Sequence, residues 1–98
     1  MKYTVQQFER SLNSDRPPAD LDAALLGLWW DAKGDWDMAH ACVDALSDEA
    51  GIRVHAYLHR KEGDLGNAGY WYRRVGRTAP DLTLKAEHRL LLHDLLPP

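Results

Sequence analysis

The chain has 98 residues, 45% hydrophobic and 28% charged, with a formal net charge of -3, a balance that fits one globular domain rather than a disordered chain. A single cysteine, Cys42, excludes an internal disulfide and fits a reducing cytoplasm. No apolar segment follows the first residues, and the longest apolar run, 23–30, is too short to span a bilayer, so neither a signal peptide nor a membrane anchor is expected.

Six helices are predicted and no strand. The first opens at Thr4, whose spacing to Gln7 is that of a capping box, and carries Val5, Phe8 and Leu12 on one side to about residue 13. Residues 13–18 break it. A second helix is predicted from Asp20 as N-cap to Lys33, with Gly34 just past its end. Its sequence, LDAALLGLWWDA, is apolar nearly all round, which suits a helix buried on several sides. Asp35 caps a third helix running to about Leu46, and residues 47–51 read as a loop. A fourth is predicted from Ile52 to Glu62, ending at Gly63. Asp64 caps a fifth, Leu65 to Arg74. After a turn at 76–80, a sixth runs over about 82–96 with Leu84, His88, Leu91, Leu92 and Leu95 on one side, and Pro97 and Pro98 stop it.

The chain repeats itself. AKGDWDMAHACVDAL (32–46) overlies KEGDLGNAGYWYRRV (61–75), pairing Gly34 with Gly63, 29 residues on. Asp35 then meets Asp64, Trp36 meets Leu65, Ala39 meets Ala68 and Val43 meets Tyr72. Each match has a physical reason. The glycine ends one helix in a left-handed conformation, the aspartate caps the next, and the alanine lets two helices approach closely.

These residues resemble the tetratricopeptide helical hairpin over roughly 20–80. The matching positions are Gly27, Gly34-Asp35-Trp36, Ala39 and Val43 in one copy, and Ala56, Gly63-Asp64-Leu65, Ala68, Tyr72 and Pro80 in the other. The repeat is shorter than that family's, Val43 stands where the family has an aromatic, and the first copy lacks the closing proline. The resemblance implies an all-α fold of two hairpins, about 20–47 and 50–76, with capping helices at about 4–13 and 82–96. It also implies a concave side that receives peptide segments, with Arg53, Tyr57, Arg60 and Lys61 on it. The stretch HAYLHRKEGD…YWYRR is also similar to a family of small uncharacterised bacterial proteins, a resemblance that implies no activity.

Several residues invite chemistry. His55 and His59 are four apart on one helix face, a two-ligand metal geometry, and Glu62 follows as a possible third ligand. The repeat places them over Leu26 and Trp30, which favours two partly buried structural histidines. His40, His88 and His93 add no ligand spacing. Most of the aromatics are assigned to the core, Trp36 and Trp71 included, while Tyr57 and Tyr70 fall on polar sides and are expected exposed. Arg53, Arg60, Lys61, Arg73, Arg74 and Arg77 alternate with tyrosines. Yet a pI near 5.9 and the absence of a binding motif argue against nucleic acid. No nucleophile-base-acid set is visible: Ser11, Ser14 and Ser47 fall at helix ends or in loops, Cys42 is expected on the packed side of its helix, and GDLGNAG lacks the Lys-Ser/Thr ending of a phosphate loop.

The charge is polarised. Residues 1–49 hold four Lys/Arg against ten Asp/Glu, and 50–98 hold eight against five. The sequence therefore reads as a cytoplasmic, non-enzymatic protein-interaction module without a cofactor, binding another protein or an acidic peptide and pairing as a homodimer. The competing readings are a metal protein or enzyme using His55, His59 and Glu62, and a self-associating structural protein.

Overall fold

The structure, a computed structural model, describes residues 3–96. Among them there are six helices and no strand: α1 (Val5–Ser11), α2 (Ala23–Ala32), α3 (Trp36–Val43), α4 (Glu49–Glu62), α5 (Leu65–Arg74) and α6 (Leu84–Leu95). The fold is all-α as the sequence implied. Pro97 and Pro98 lie outside the described residues.

Most helix starts follow the capping chemistry. Thr4 accepts from the Gln7 amide while the Gln7 side chain accepts from the Thr4 amide, a complete capping box. Asp35 and Asp64 accept from the amides of Met38 and Asn67. Two starts differ from the sequence reading. Asp22, not Asp20, caps α2, accepting from Leu25 N at 3.0 Å, while Asp20 accepts from the Tyr3 hydroxyl. The segment read as a loop before Ile52 contains a cap of its own. Asp48 accepts from Gly51 N, so α4 begins three residues early, at Glu49. Helix α3 also stops sooner, at Val43. Gly34 and Gly63 end α2 and α4 at φ +84° and +91°, the left-handed region a side chain rarely enters.

Helix α2 packs on α3, and α4 on α5, as two antiparallel hairpins, and α3 and α2 then meet α4. Small residues set the close approaches. A Cβ on Gly27 would lie 2.9 Å from Val43 Cγ1 and 3.3 Å from the Ala39 carbonyl. Ala56 and Ala68, both buried, hold the second hairpin together with Tyr72. The main core joins Phe8 of α1, Leu25, Leu28 and Trp29 of α2, Ala39 and Val43 of α3, Val54 and Leu58 of α4, and Leu91 and Leu92 of α6. The radius of gyration is 12.5 Å, matching about 13 Å for a compact chain of this length, so hairpins and flanking helices form one unit.

Helix α6 does more than close the end of a stack. It crosses both α4 and α2 and covers the face of α4 that carries Arg53, Tyr57 and Arg60. The consequences correct several expectations. Tyr57, expected exposed, is 2% exposed. Leu96 is buried, whereas Leu90 remains exposed. Leu65, matched by the repeat to the half-buried Trp36, is 68% exposed, because no further helix covers the outer side of α5. Trp71, assigned to the core, is only half-buried, as is Cys42, whose thiol is nonetheless pushed up by burial.

Candidate functional sites

Two places gather chemistry. The first is a groove between α1 and α6, a cavity of about 450 Å³. Val5, Phe8 and Glu9 of α1 line one wall, with Leu12 just beyond the helix. Leu84, Lys85, His88, Arg89 and Leu92 of α6 line the other. Asp31 and Ala32 of α2 and Tyr57 and Lys61 of α4 lie between. Helix α1 is fixed here because Trp29 Nε1 donates to Ser11 Oγ at 3.0 Å, and Lys33 Nζ donates to the carbonyls of Leu12 and Ser14.

Asp31 is the buried polar centre of that groove. Tyr57 donates its hydroxyl to Asp31 Oδ2 at 2.7 Å, and Lys61 Nζ reaches Oδ1 at 2.7 Å. Burial, and then this bond to a carboxylate, pushes the Tyr57 hydroxyl well above its usual pKa, so it stays a donor. His88 Nε2 lies 3.0 Å from the Leu28 carbonyl, which only accepts, so this nitrogen carries the proton. The side chains of Lys85 and Arg89, four apart and exposed, make no ion pair or hydrogen bond with another described residue. The groove is thus apolar at Val5, Phe8, Leu12, Leu84 and Leu92, internally neutralised at Asp31, cationic along α6 and acidic at Glu9 on α1.

The four residues assigned to a peptide-receiving face divide. Arg53 pairs with Asp94 at 2.9 Å, and Arg60 pairs with buried Glu87 at 2.8 Å and donates to the Leu82 carbonyl. Glu87 also accepts from the Tyr72 hydroxyl at 2.6 Å, and burial with this bond pushes the Tyr72 hydroxyl up as well. Arg53, Tyr57 and Arg60 are taken up inside the molecule by α6, α2 or both. Of the four, Tyr57 and Lys61 line the groove, and only Lys61 is exposed, its side chain to 38%. The missed residues of that recess, Lys85 and Arg89, were hidden because α6 was read as a cap rather than as a groove wall. Their i, i+4 spacing beside Leu84, His88 and Leu92 was the available signal.

The second place is a cluster of three histidines. His55 and His59 are buried on α4, on the side facing α3, and His40 of α3 joins them. His40 Nε2 and His55 Nε2 lie 3.2 Å apart. Ring centroids are 4.8 Å apart for His55 and His59, 4.9 Å for His40 and His55, and 5.2 Å for His40 and His59. Trp36 stacks on His40 and Trp71 on His55. Trp36 is held by its Nε1, which donates to the Leu58 carbonyl at 2.8 Å. Glu62, exposed, accepts from His59 Nδ1 at 2.6 Å. Burial first, then the neighbouring His59 and His40, bring His55 down to about 4, so it is neutral at pH 7.

The sequence reading gives two partly buried structural histidines; both are buried, His55 meets His40 of α3, and His59 meets Glu62 of its own helix. That reading missed His40, because the repeat aligns that position with Gly69 and so gives no hint of a third imidazole. The available signal was Trp36 and His40 at i, i+4 on a helix expected to pack against α4. No helix among the described residues is long and apolar enough to cross a membrane. No protein-family model, curated protein or solved structure matches this chain.

Proposed function

We propose that the protein is a small non-enzymatic interaction module of the cytoplasm, and that it takes an acidic, amphipathic segment of a partner protein in the groove between α1 and α6. The observation that carries this reading is the combination of apolar walls with two unpaired cations, Lys85 and Arg89, on one edge of a recess. A helical partner segment with apolar residues at i, i+3 or i+4 and i+7 would set them against Val5, Leu84 and Leu92, with carboxylates along α6. Lys61 has spare donors after its bond to Asp31, so a partner carboxylate gains a third cation without displacing the buried one. A cavity of this size is within the range of specific ligand sites, and the apolar contact supplies affinity while the charges select an acidic partner.

The reading is tested with a fluorescein-labelled synthetic helix bearing leucine on one face and glutamate on the other, followed by anisotropy. Saturable binding is expected, weakened about tenfold or more by the Lys85→Glu/Arg89→Glu pair and by high salt. The same helix with lysine in place of glutamate should not bind. Equal binding of both peptides, or indifference to the charge reversal, contradicts the groove.

A further inference from the structure

We infer that His40, His55 and His59 form a binding site for one divalent transition-metal ion of the zinc class, bridging the two hairpins. This goes beyond the groove and does not depend on it. The three imidazoles offer ligand nitrogens that all lie within 4.8 Å of one another. Tetrahedral zinc with Zn–N bonds of about 2.0–2.1 Å holds its nitrogens about 3.3–3.4 Å apart. His40 Nε2 and His55 Nε2, at 3.2 Å, already have that separation.

The third imidazole is poised by its neighbour. Glu62 accepts from His59 Nδ1 at 2.6 Å, which makes Nδ1 the protonated nitrogen and leaves the Nε2 lone pair for a ligand. Its one polar neighbour at Nε2, the Asn67 side-chain amide, is 3.4 Å away, long for a hydrogen bond and easily displaced. A carboxylate on the far nitrogen of a ligating histidine is the common arrangement at metal centres, where it fixes the ring and raises its basicity. Glu62 therefore serves as the orienting group, and His40 takes the ligand position that sequence spacing offered to Glu62.

A second observation points the same way. His55 is 4% exposed, its Nε2 faces only the His40 nitrogen, and its Nδ1, which has no hydrogen-bond partner, is free to take the ring proton when Nε2 ligates. Packing does not require an imidazole there, since the repeat sets Leu26 and Trp30 at the positions equivalent to His55 and His59. A buried imidazole with a ring nitrogen left without a partner is kept at a cost to stability. Three protein nitrogens leave a fourth position, and His40, half-exposed, marks the edge of the cluster nearest solvent, where water completes the sphere. On binding, the proton between His40 and His55 moves to the Nδ1 of the ring that carried it, so both rings stay neutral and both Nε2 lone pairs turn to the metal.

The experiment uses the untagged 98-residue chain stripped with chelator and dialysed against Zn2+, with elemental analysis, and the Co2+ form read by visible absorption. One ion per chain is expected, and the cobalt form should show the intense bands of a four-coordinate site. His40→Gln should abolish the bands and the stoichiometric zinc while leaving helical circular dichroism intact. Glu62→Gln should weaken binding by about 10–100-fold. His93→Gln, on the exposed side of α6, should change nothing. Absence of saturable one-to-one binding, a weak six-coordinate cobalt spectrum, or unchanged affinity in His40→Gln overturns the site. Should His40→Gln fail to fold, the stoichiometry and cobalt spectrum of the unsubstituted protein still decide.

Discussion

At the scale of single residues, His55 ties stability to pH. Its folded pKa is about 4 against an ordinary 6.5, so between those values the unfolded chain binds a proton that the folded chain refuses. The stability this gives is complete above about pH 6.5 and is lost as pH falls toward 4. The difference of about 2.5 units corresponds to about 3 kcal/mol. Urea unfolding of chelator-treated protein should therefore show a decline of up to that size from pH 7 to 4, and His55→Leu should flatten the part that falls between pH 6.5 and 4. An unchanged slope in that variant would place the titrating groups elsewhere. How much of this was legible varies by residue. The burial of His55 and His59 follows from their repeat positions over Leu26 and Trp30. The burial of Tyr57 does not, because its tyrosine ring looks like a surface residue until Asp31, 26 positions earlier, supplies an acceptor for its hydroxyl. A long-range hydrogen bond of that kind has no local signature.

At the scale of helices, capping chemistry was the most readable feature. Thr4, Asp35 and Asp64 cap as their spacing implies, and Gly34 and Gly63 take positive φ. The start of α4 was misread because Ser47–Gly51 looks like a polar connector, yet Asp48 and Gly51 form a cap only when Leu46 packs against the glycine. A Cβ at Gly51 would fall against Leu46 Cβ, 2.6 Å from Leu46 Cδ1 and 2.7 Å from Asp48 Oδ1. Gly51→Ala should thus lose both packing and cap, costing about 1–3 kcal/mol in spite of the better helix propensity of alanine. Gly66, also near a helix start, has nothing within 4 Å of an added Cβ. Gly66→Ala should be neutral or stabilising by a few tenths to about 1 kcal/mol. Thermal melts of the two variants check the contrast, and a Gly51→Ala protein as stable as Gly66→Ala would remove the account of the α3–α4 connection. The path of α6 was illegible for a different reason. Its leucine stripe says that one face is buried but not against which helix, and the partners Asp94 and Glu87 meet Arg53 and Arg60 only across 41 and 27 residues.

At the scale of the whole molecule, the charge is divided between an acidic first half and a basic second half, and part of that division is consumed internally. Asp31 meets Lys61 across the two halves, while Arg53 and Arg60 meet acids of their own half. Leu96 is buried and α2 is covered by α3, α4 and α6, so the apolar load of both is met within the molecule. What remains is the exposed excess of each sign, together with Leu65 and Leu90. We propose that this residue of polarity gives a weak two-fold dimer, seen by sedimentation at low salt and dissociated as salt screens the charges. A strict monomer at every concentration and ionic strength would dismiss it. The groove places a sharper demand on the molecule, because it locates contact at two helices far apart in sequence. Amide chemical-shift mapping during titration with the acidic amphipathic peptide tests this most directly. The account predicts that shifts concentrate at Val5, Phe8 and Glu9 of α1 and at Lys85, His88 and Arg89 of α6, and fade in the Lys85→Glu/Arg89→Glu protein. Shifts confined to α3 and α5, or spread evenly over the surface, would contradict it.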